Sequence, residues 1–180
     1  MTGYIPVTKR SELVLSGRVG NIFRLTGEEG LLRAQLNERF FLGGRNTLRG
    51  YADRTVLPED ACVVEQSDPP KPCPQQANRV EYDKNKVYTP VPGAFFVLAK
   101  AEFRFPIIGN FRGAVFVDAG NLYFSAAAFN PLAWRVNVGA GLRYETGVGS
   151  VAADIGFNPS FRDERAETAI PNFYFYFGLF

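Results

Sequence analysis

The stretch WRVNVGAGLRYE, residues 134–145, decides the fold class because its side chains alternate in character with a period of two. One face is apolar or aromatic and carries Trp134, Val136, Val138, Ala140, Leu142 and Tyr144. The opposite face carries Arg135, Asn137, Gly139, Gly141, Arg143 and Glu145. Because successive side chains of a strand point to opposite faces, this pattern predicts a β-strand with one apolar and one polar face.

The same alternation recurs on both sides of this stretch. Further strands are predicted at about residues 13–23, 95–105, 111–118, 151–158 and 173–180. In the strand that starts at Phe95, one face carries Lys100, Glu102 and Arg104, whereas the other face is free of charge. The best segments have about 9–11 residues, which is the length of a tilted strand that crosses a bilayer.

The predicted connections alternate between long and short. They lie at about residues 25–94 (long), 106–110 (short), 121–133 (long), 146–150 (short) and 159–172 (long). Short turns at one end of the strands and longer loops at the other are typical of an outer-membrane β-barrel. The 17 Phe, 8 Tyr and one Trp fit the aromatic girdles of such barrels. A soluble β-sandwich, whose strands also alternate, is the alternative fold.

The composition excludes several classes of protein. No apolar run reaches the roughly 18 residues of a transmembrane helix, and a net charge of +2 is too small to indicate a nucleic-acid partner. The sequence contains no His, no GxSxG and no phosphate-binding loop, so we expect no enzyme, no metal site and no cofactor. The N-terminal residues lack the pattern of a signal peptide. We therefore expect that the protein either stays where it is made or is part of something longer.

The two cysteines, Cys62 and Cys73, lie in the polar, Pro-rich stretch ACVVEQSDPPKPCP. We favour a disulfide that closes a loop of roughly ten residues, which implies an oxidising compartment. A free pair of thiols and half of a metal site are the alternatives, although a zinc site has little support without His or further Cys.

The long link contains ERFFLGGRNTLRGY, residues 38–51. Its glycines permit tight turns and close backbone packing, and its apolar residues are too many for a wholly solvated loop. We therefore expect this segment to fold into the lumen of the barrel. A buried Arg49 needs a carboxylate partner, and two carboxylates, Glu102 and Asp118, lie on predicted lumen faces.

The segment GGRNTLRGY, residues 43–51, resembles the loop motif of the BamA/TamA superfamily, the bacterial surface antigen family of outer-membrane barrels. The motif residues in this chain are Gly43, Gly44, Leu48, Arg49, Gly50 and Tyr51. Further blocks resemble strands of the family and occur in the family's order. They are AEFRFP (101–106), GAVFVDAGNLY (113–123), GAGLRYETGVGSVAADIGFNP (139–159) and FYFYFGLF (173–180).

The resemblance implies roles for particular residues. In the family the loop folds back into the barrel, and its arginine pairs with an aspartate of a strand. Carried over to this chain, Arg49 pairs with Asp118, and Glu102 lies close by. Gly50 lets the backbone turn tightly, and Tyr51 packs beside Phe116.

The resemblance also assigns the terminal strand to one side of a seam between the first and last strands of the barrel. A substrate strand adds to the exposed edge at such a seam. The residues that we expect there are Phe173, Phe175, Phe177, Gly178 and Phe180. In the family a glycine usually stands three residues before the final aromatic, whereas Gly178 stands two residues before Phe180. Phe180 therefore changes face, and the match to the usual assembly signal is imperfect.

Residues 1–180 are expected to form the C-terminal part of one outer-membrane barrel domain. The expected fold is an all-β, antiparallel transmembrane β-barrel fragment of about six strands, with a long extracellular loop folded into the lumen. No POTRA domain is recognised in the sequence. Because open strand edges are not tolerated in lipid, the sequence is expected to be a portion of a longer protein or a truncated reading frame.

The function implied by the resemblance is insertion or translocation of other polypeptides at the outer membrane of a diderm bacterium, without ATP. The expected partners are outer-membrane lipids, further barrel strands and POTRA domains, and unfolded outer-membrane or secreted polypeptides, with periplasmic lipoproteins as further candidates. The long loop is expected outside the cell and the C-terminus in the periplasm. The alternatives are a pore for two-partner secretion, the barrel anchor of a fused patatin-like hydrolase, and a soluble β-rich binding domain.

Overall fold

The structure, a computed structural model, describes residues 1–23, 39–65, 79–82, 90–147, 149–159 and 171–178. Its strands are β1 (Thr2–Pro6), β2 (Glu12–Asn21), β3 (Cys62–Glu65), β4 (Arg79–Tyr82), β5 (Phe95–Ile108), β6 (Phe111–Tyr123), β7 (Arg135–Thr146), β8 (Gly149–Phe157) and β9 (Asn172–Gly178). The described residues also contain a short 3-10 helix at Ala126–Ala128. In this part of the chain, no helix has the length and apolar character needed to cross a membrane.

Seven of the strands form one antiparallel sheet in the order β1-β2-β5-β6-β7-β8-β9. The sheet is open, with β1 and β9 at its edges. The remaining strands, β3 and β4, form a separate parallel pair. The predicted all-β, antiparallel class is therefore confirmed.

The strand count and some strand ends differ from the prediction. Three strands are additional: β1, and the pair β3 and β4, which lie within the predicted link of about residues 25–94. Strand β1 has the sequence TGYIP, and its Gly and Pro, both depleted in strands, hide it from a search for alternation. Pro106 was predicted in a turn but lies within β5, where the register of the β5–β6 pair shifts. β6 continues to Tyr123, five residues beyond the predicted end at Asp118. The polar Asn121 is buried there at the end of the strand.

The outward face of the sheet is apolar. Large hydrophobic side chains are exposed at alternate positions on neighbouring strands, including Val115, Val117, Val138, Leu142 and Phe157. We call the opposite face, which residues 39–60 cover, the inner face. It buries polar and charged side chains, including Glu102, Asp118, Arg143 and Asp154. An apolar exterior around a polar interior is the arrangement of a membrane barrel and the reverse of that of a soluble domain.

The loop of residues 39–60 packs onto the inner face through a small apolar core. Its members are Leu42, Leu48, Tyr51 and Val56 of the loop, Leu98 of β5 and Leu122 of β6. The rings of Phe40 and Phe96 pack against this core, with their centroids 4.7 Å apart. Burial of each large side chain contributes about 1.5–3 kcal/mol relative to exposure. The apolar content of the loop is thus explained by burial against β5 and β6.

The two ends of the sheet differ in the length of the connections between strands. At one end, which we call the turn end, β5 and β6 are joined by two residues, Gly109 and Asn110, and β7 and β8 are also joined by two. At the other end, the loop end, eleven residues (124–134) join β6 to β7 and fourteen (158–171) join β8 to β9. Strand β5, which follows the loop of residues 39–60 and the pair β3 and β4 in the chain, also begins at this end, where Phe95 pairs with Tyr123.

Candidate functional site

The loop motif, residues 43–51, forms a closed turn before it reaches the sheet. Gly43 and Gly44 have φ angles of 106° and 92°, a region that side chains disfavour. The Thr47 hydroxyl accepts a hydrogen bond from the Gly43 amide at 2.9 Å and donates one to the Gly43 carbonyl at 2.8 Å. The Gly44 amide donates to the Tyr51 carbonyl at 2.9 Å, which closes the motif. The glycine pair therefore sets the direction in which Arg49 enters the inner face.

Arg49 is buried at the centre of the inner face, with 3% of its surface exposed. Its guanidinium binds Asp118 in a bidentate manner: Nε donates to Oδ2 and Nη2 to Oδ1, both at 2.8 Å. Its Nη1 donates to Glu102 at 2.7 Å and to Asp154 at 3.2 Å. The ring centroid of Phe116 lies 3.4 Å from the guanidinium carbon. One cation thus joins carboxylates from β5, β6 and β8 over an aromatic ring.

The environment keeps Arg49 charged. Burial alone would lower the pKa of the guanidinium, but the hydrogen bonds and charges of Asp118 and Glu102 raise that pKa above its ordinary value. The backbone amide of Arg49 also donates to Asp118, at 3.2 Å. Removing one member of such a buried pair leaves an uncompensated charge and costs about 3–5 kcal/mol.

A second arginine balances the remaining negative charge. Arg143 of β7 pairs with Asp154 and also reaches Glu102, with Nη2 to Oε1 at 3.2 Å. Arg104 donates to the same oxygen of Glu102 at 2.8 Å, and Lys100 Nζ lies 4.0 Å from Asp118. Cations and carboxylates therefore alternate across the inner faces of four successive strands.

Asp154 and Arg143 were not singled out in the sequence, although Arg143 lies on the polar face of the stretch 134–145 and Asp154 lies within the predicted strand of residues 151–158. Asp154 stands in AADIGF, where small and apolar residues flank it as they flank Asp118 in FVDAG. A single aspartate in an otherwise apolar strand was the sequence feature that could have identified Asp154 as a candidate site residue. Sequence spacing alone does not show that β8 brings it to the same arginine.

The backbone of Arg49 and Gly50 lies directly against β8 and β7. A Cβ added at Gly156 would meet the carbonyl group of Arg49, and one added at Gly50 would meet Asn137 and the carbonyl of Phe157. Gly50 is absent from the residues with positive φ. The predicted tight turn is present, since the Tyr51 amide donates to the Leu48 carbonyl at 3.1 Å. Glycine is required there, however, because of the close approach between backbones.

A second group of contacts holds the loop at the loop end of the sheet. The Glu59 carboxylate lies 3.0 Å from Arg135 Nη1 and accepts a hydrogen bond from Asn121 at 3.1 Å. Its backbone amide donates to the Leu122 carbonyl at 2.7 Å. The neighbouring Asp60 accepts from the Phe124 amide at 2.8 Å. The loop is therefore attached near its middle by Arg49 and farther along by Glu59 and Asp60.

The structure places the other predicted residues as follows. Tyr51 packs in the apolar core with Leu48, whereas the Phe116 ring lies beneath Arg49. Three terminal-strand residues point outward and are exposed: Phe173, Phe175 and Phe177. Gly178 ends β9, and Phe180 lies outside the described residues.

The remaining predictions concern the disulfide between Cys62 and Cys73 and the expected lack of a metal site. Cys62 begins β3, and Cys73 lies outside the described residues, so the predicted disulfide stays a prediction. Across the described ranges, no group of three or more His, Cys, Asp or Glu residues is arranged to hold a metal ion. The carboxylates around Arg49 are instead engaged by arginine side chains.

Comparison with known proteins gives a family and a fold. The Omp85 superfamily domain matches residues 1–180. The structure resembles the crystal structure of BamA from Haemophilus ducreyi lacking POTRA domains 1–3, with a TM-score of 0.59 and 17% sequence identity. This match covers 96% of the present chain and 34% of that chain, so the present chain spans about a third of its length. A comparison with curated proteins finds no significant match.

We expect Arg49→Ala to release the loop from the inner face, because the carboxylates that bind it lose their shared cation. The cost is about 3–5 kcal/mol. In the full-length protein, trypsin should then cleave the loop faster at the exposed Arg54. Arg112→Ala is the matched control, since the Arg112–Glu145 pair is part-exposed and such pairs contribute about 0–1 kcal/mol. Equal cleavage of Arg49→Ala and wild type would contradict the assignment.

We expect Gly156→Ala to weaken docking of the loop even though every charge stays in place. The new Cβ would collide with the Arg49 carbonyl group and would come within 3.0 Å of the Gly50 nitrogen, a clash that costs about 1–3 kcal/mol. Thermal unfolding of the full-length protein in detergent measures the loss. Gly17→Ala is the control, because nothing lies within 4 Å of its added Cβ. Equal melting temperatures for the two variants would refute the close approach.

Proposed function

Because the chain belongs to the Omp85 superfamily, we propose that it forms part of an outer-membrane β-barrel that inserts or translocates other polypeptides. Members of this superfamily are outer-membrane β-barrel proteins, and the apolar outward face suits contact with lipid. The proposed activity is not enzymatic and uses no ATP. The work is done by binding and by strand pairing at the edge of the sheet.

The observation that carries the proposal is the docking of the loop motif on the inner face of a sheet whose outward face is apolar. Arg49 fixes the loop against β5, β6 and β8, and the opposite face of the sheet exposes large hydrophobic side chains. Together with the family match over residues 1–180, this arrangement supports part of a barrel wall that acts on other polypeptides. Pairing of a substrate strand with the terminal strand β9 is the proposed mode of binding.

We propose that the loop end faces the cell exterior and that the C-terminus lies in the periplasm. Longer external loops and shorter periplasmic turns are usual for outer-membrane barrels. The partners would be lipids of the outer membrane, the rest of the barrel, POTRA domains and unfolded polypeptides, with periplasmic lipoproteins as further candidates. The orientation would place Cys62 and Cys73 in an oxidising environment.

A disulfide between Cys62 and Cys73 follows from that orientation. We expect both thiols in the full-length protein, isolated from membranes without reductant, to resist alkylation until they are reduced. Mass spectrometry of the peptides measures this, and Cys73→Ala is the control that should leave Cys62 open to alkylation. Alkylation of both cysteines in the unreduced wild-type protein would contradict the disulfide.

Depletion of the full-length protein from its native cell tests the proposed function. We expect folded outer-membrane barrel proteins to decrease and their unfolded precursors to accumulate. Plasmid-borne wild type and Gly17→Ala should restore assembly, whereas Arg49→Ala should restore it poorly. Normal barrel assembly with retention of one secreted protein would instead indicate a secretion pore. Normal assembly and normal secretion would refute both functions and leave the anchor of a fused hydrolase.

A further inference from the structure

We propose that the connection between β6 and β7, residues 124–134, is a lipid anchor that Phe129 holds in the bilayer interface at the loop end of the sheet. Three of its side chains are large, apolar and exposed: Phe129 (39%), Leu132 (86%) and Trp134 (39%). Neighbouring exposed apolar side chains of this kind mark a surface that contacts another protein or a membrane.

The connection carries no charge. Between Asp118 and Arg135 the sequence contains no Asp, Glu, Lys or Arg. The other long connection at the loop end, residues 158–171, contains Arg162, Asp163, Glu164, Arg165 and Glu167. The lack of charge is therefore specific to residues 124–134 and is not a property of the loop end as a whole. A charged side chain is costly near the hydrocarbon of a bilayer, whereas Trp is enriched at its interface.

The exposed side chains of the connection continue the outward face of the sheet. Trp134 directly precedes β7 and by alternation lies on the same side as Val138, which is exposed. Val138 pairs with Val117 of β6, which is exposed as well. The apolar outward surface thus extends from the strands onto the connection. This continuity favours lipid, which the outward face already contacts in a barrel, as the occupant.

Phe129 attaches the connection to this outward side. Its ring packs against the rings of Phe95 and Tyr123, with centroid distances of 5.5 and 5.8 Å. Phe95 and Tyr123 are directly paired across β5 and β6, and alternation places both on the outward side. The Tyr123 hydroxyl also donates to the Asn130 carbonyl at 3.2 Å. The connection therefore folds over the ends of two strands and is held beside the lipid-facing surface.

The connection also binds several of its own polar groups, which reduces the cost of leaving water. The donors and acceptors, all within the connection, are the Phe129 amide and the Ala126 carbonyl (3.2 Å), the Leu132 amide and Asn130 Oδ1 (3.0 Å), the Ala133 amide and the Asn130 carbonyl (3.1 Å), and Trp134 Nε1 and the Pro131 carbonyl (2.8 Å). Pro131 has no amide proton to satisfy. These groups need no water as a partner, so the connection can enter the interface.

An anchor of this kind requires only that the chain is part of an outer-membrane barrel. It is the same whether the barrel inserts or secretes polypeptides, and it sets the depth of β6 and β7 in the bilayer. Its failure is therefore distinguishable from a failure of the proposed function, which is measured by the assembly of other proteins.

The position of Leu132 can be measured with a nitroxide label. The full-length protein, with its other cysteines replaced by serine, carries the label on Leu132→Cys in vesicles of phosphatidylethanolamine and phosphatidylglycerol. We expect oxygen, which concentrates in hydrocarbon, to collide with the label several-fold more often than a water-soluble nickel complex does. Leu142→Cys on the outward face of β7 is the lipid control. Lys9→Cys, in the exposed turn between β1 and β2, is the water control.

A label at position 132 that behaves like the label at position 142 supports the anchor. Behaviour like that at position 9 overturns it, because the connection then lies in water. Shielding from both reagents also overturns it, because another part of the protein then covers the connection. If position 142 itself lay in water, the outward face would not contact lipid, and the proposed barrel would fail together with the anchor.

A second variant tests the attachment. Phe129→Ala removes the ring contacts with Phe95 and Tyr123, and we expect the nickel complex to collide several-fold more often with the label at position 132. Phe111→Ala is the matched control, since it removes a ring contact with Tyr144 at the turn end, where the centroids lie 4.7 Å apart. No rise in Phe129→Ala, or an equal rise in both variants, overturns the attachment by Phe129.

Discussion

The rest of the structure depends on one buried guanidinium group. Arg49 binds carboxylates from β5, β6 and β8 at once, and each of those carboxylates would be costly to bury alone. The loop needs the carboxylates to hold its cation, and the sheet needs the cation to tolerate its carboxylates. Neither the loop nor the inner face is therefore stable in this form without the other. Arg143, Arg104 and Lys100 complete the balance of charge.

This mutual dependence follows from the inverted arrangement of the sheet. When the outward face meets lipid, apolar side chains there gain little from packing against other protein. Specific attachment must then come from polar contacts on the inner face, where the charged side chains are buried and hydrogen bonds are strong. The loop supplies both kinds of interaction, because Leu48 and Tyr51 join the apolar core beside the Arg49 network. The glycines at 50 and 156 permit the close approach on which these contacts depend.

Much of this architecture could be predicted from the sequence, for a physical reason. Alternation is a local property, so the strands beginning near Phe95 and Trp134 are visible without a structure, and the resemblance to the BamA/TamA superfamily is confirmed by the family match. Strand β1 was missed because its Gly and Pro break the pattern. The role of Asp154 was also missed, because which strand brings a third carboxylate to Arg49 depends on sheet curvature and loop path. The attachments of Glu59 and of Tyr174 were missed for the same reason, since they join residues far apart in the chain.

In the terminal strand, the alternation of Phe and Tyr also determines which side chains face outward and which face inward. FYFYF is aromatic on both faces, and the sequence alone assigns it no polar face. In the structure the two kinds of aromatic residue lie on opposite faces of the strand. The phenylalanines face outward, whereas Tyr174 and Tyr176 face inward and donate hydrogen bonds through their hydroxyl groups. Exchange of Phe and Tyr between the faces would preserve hydrophobicity and strand propensity almost unchanged. It would nonetheless remove the attachment to the loop and place hydroxyl groups in lipid, so the order of Phe and Tyr in this strand is itself a constraint of the fold.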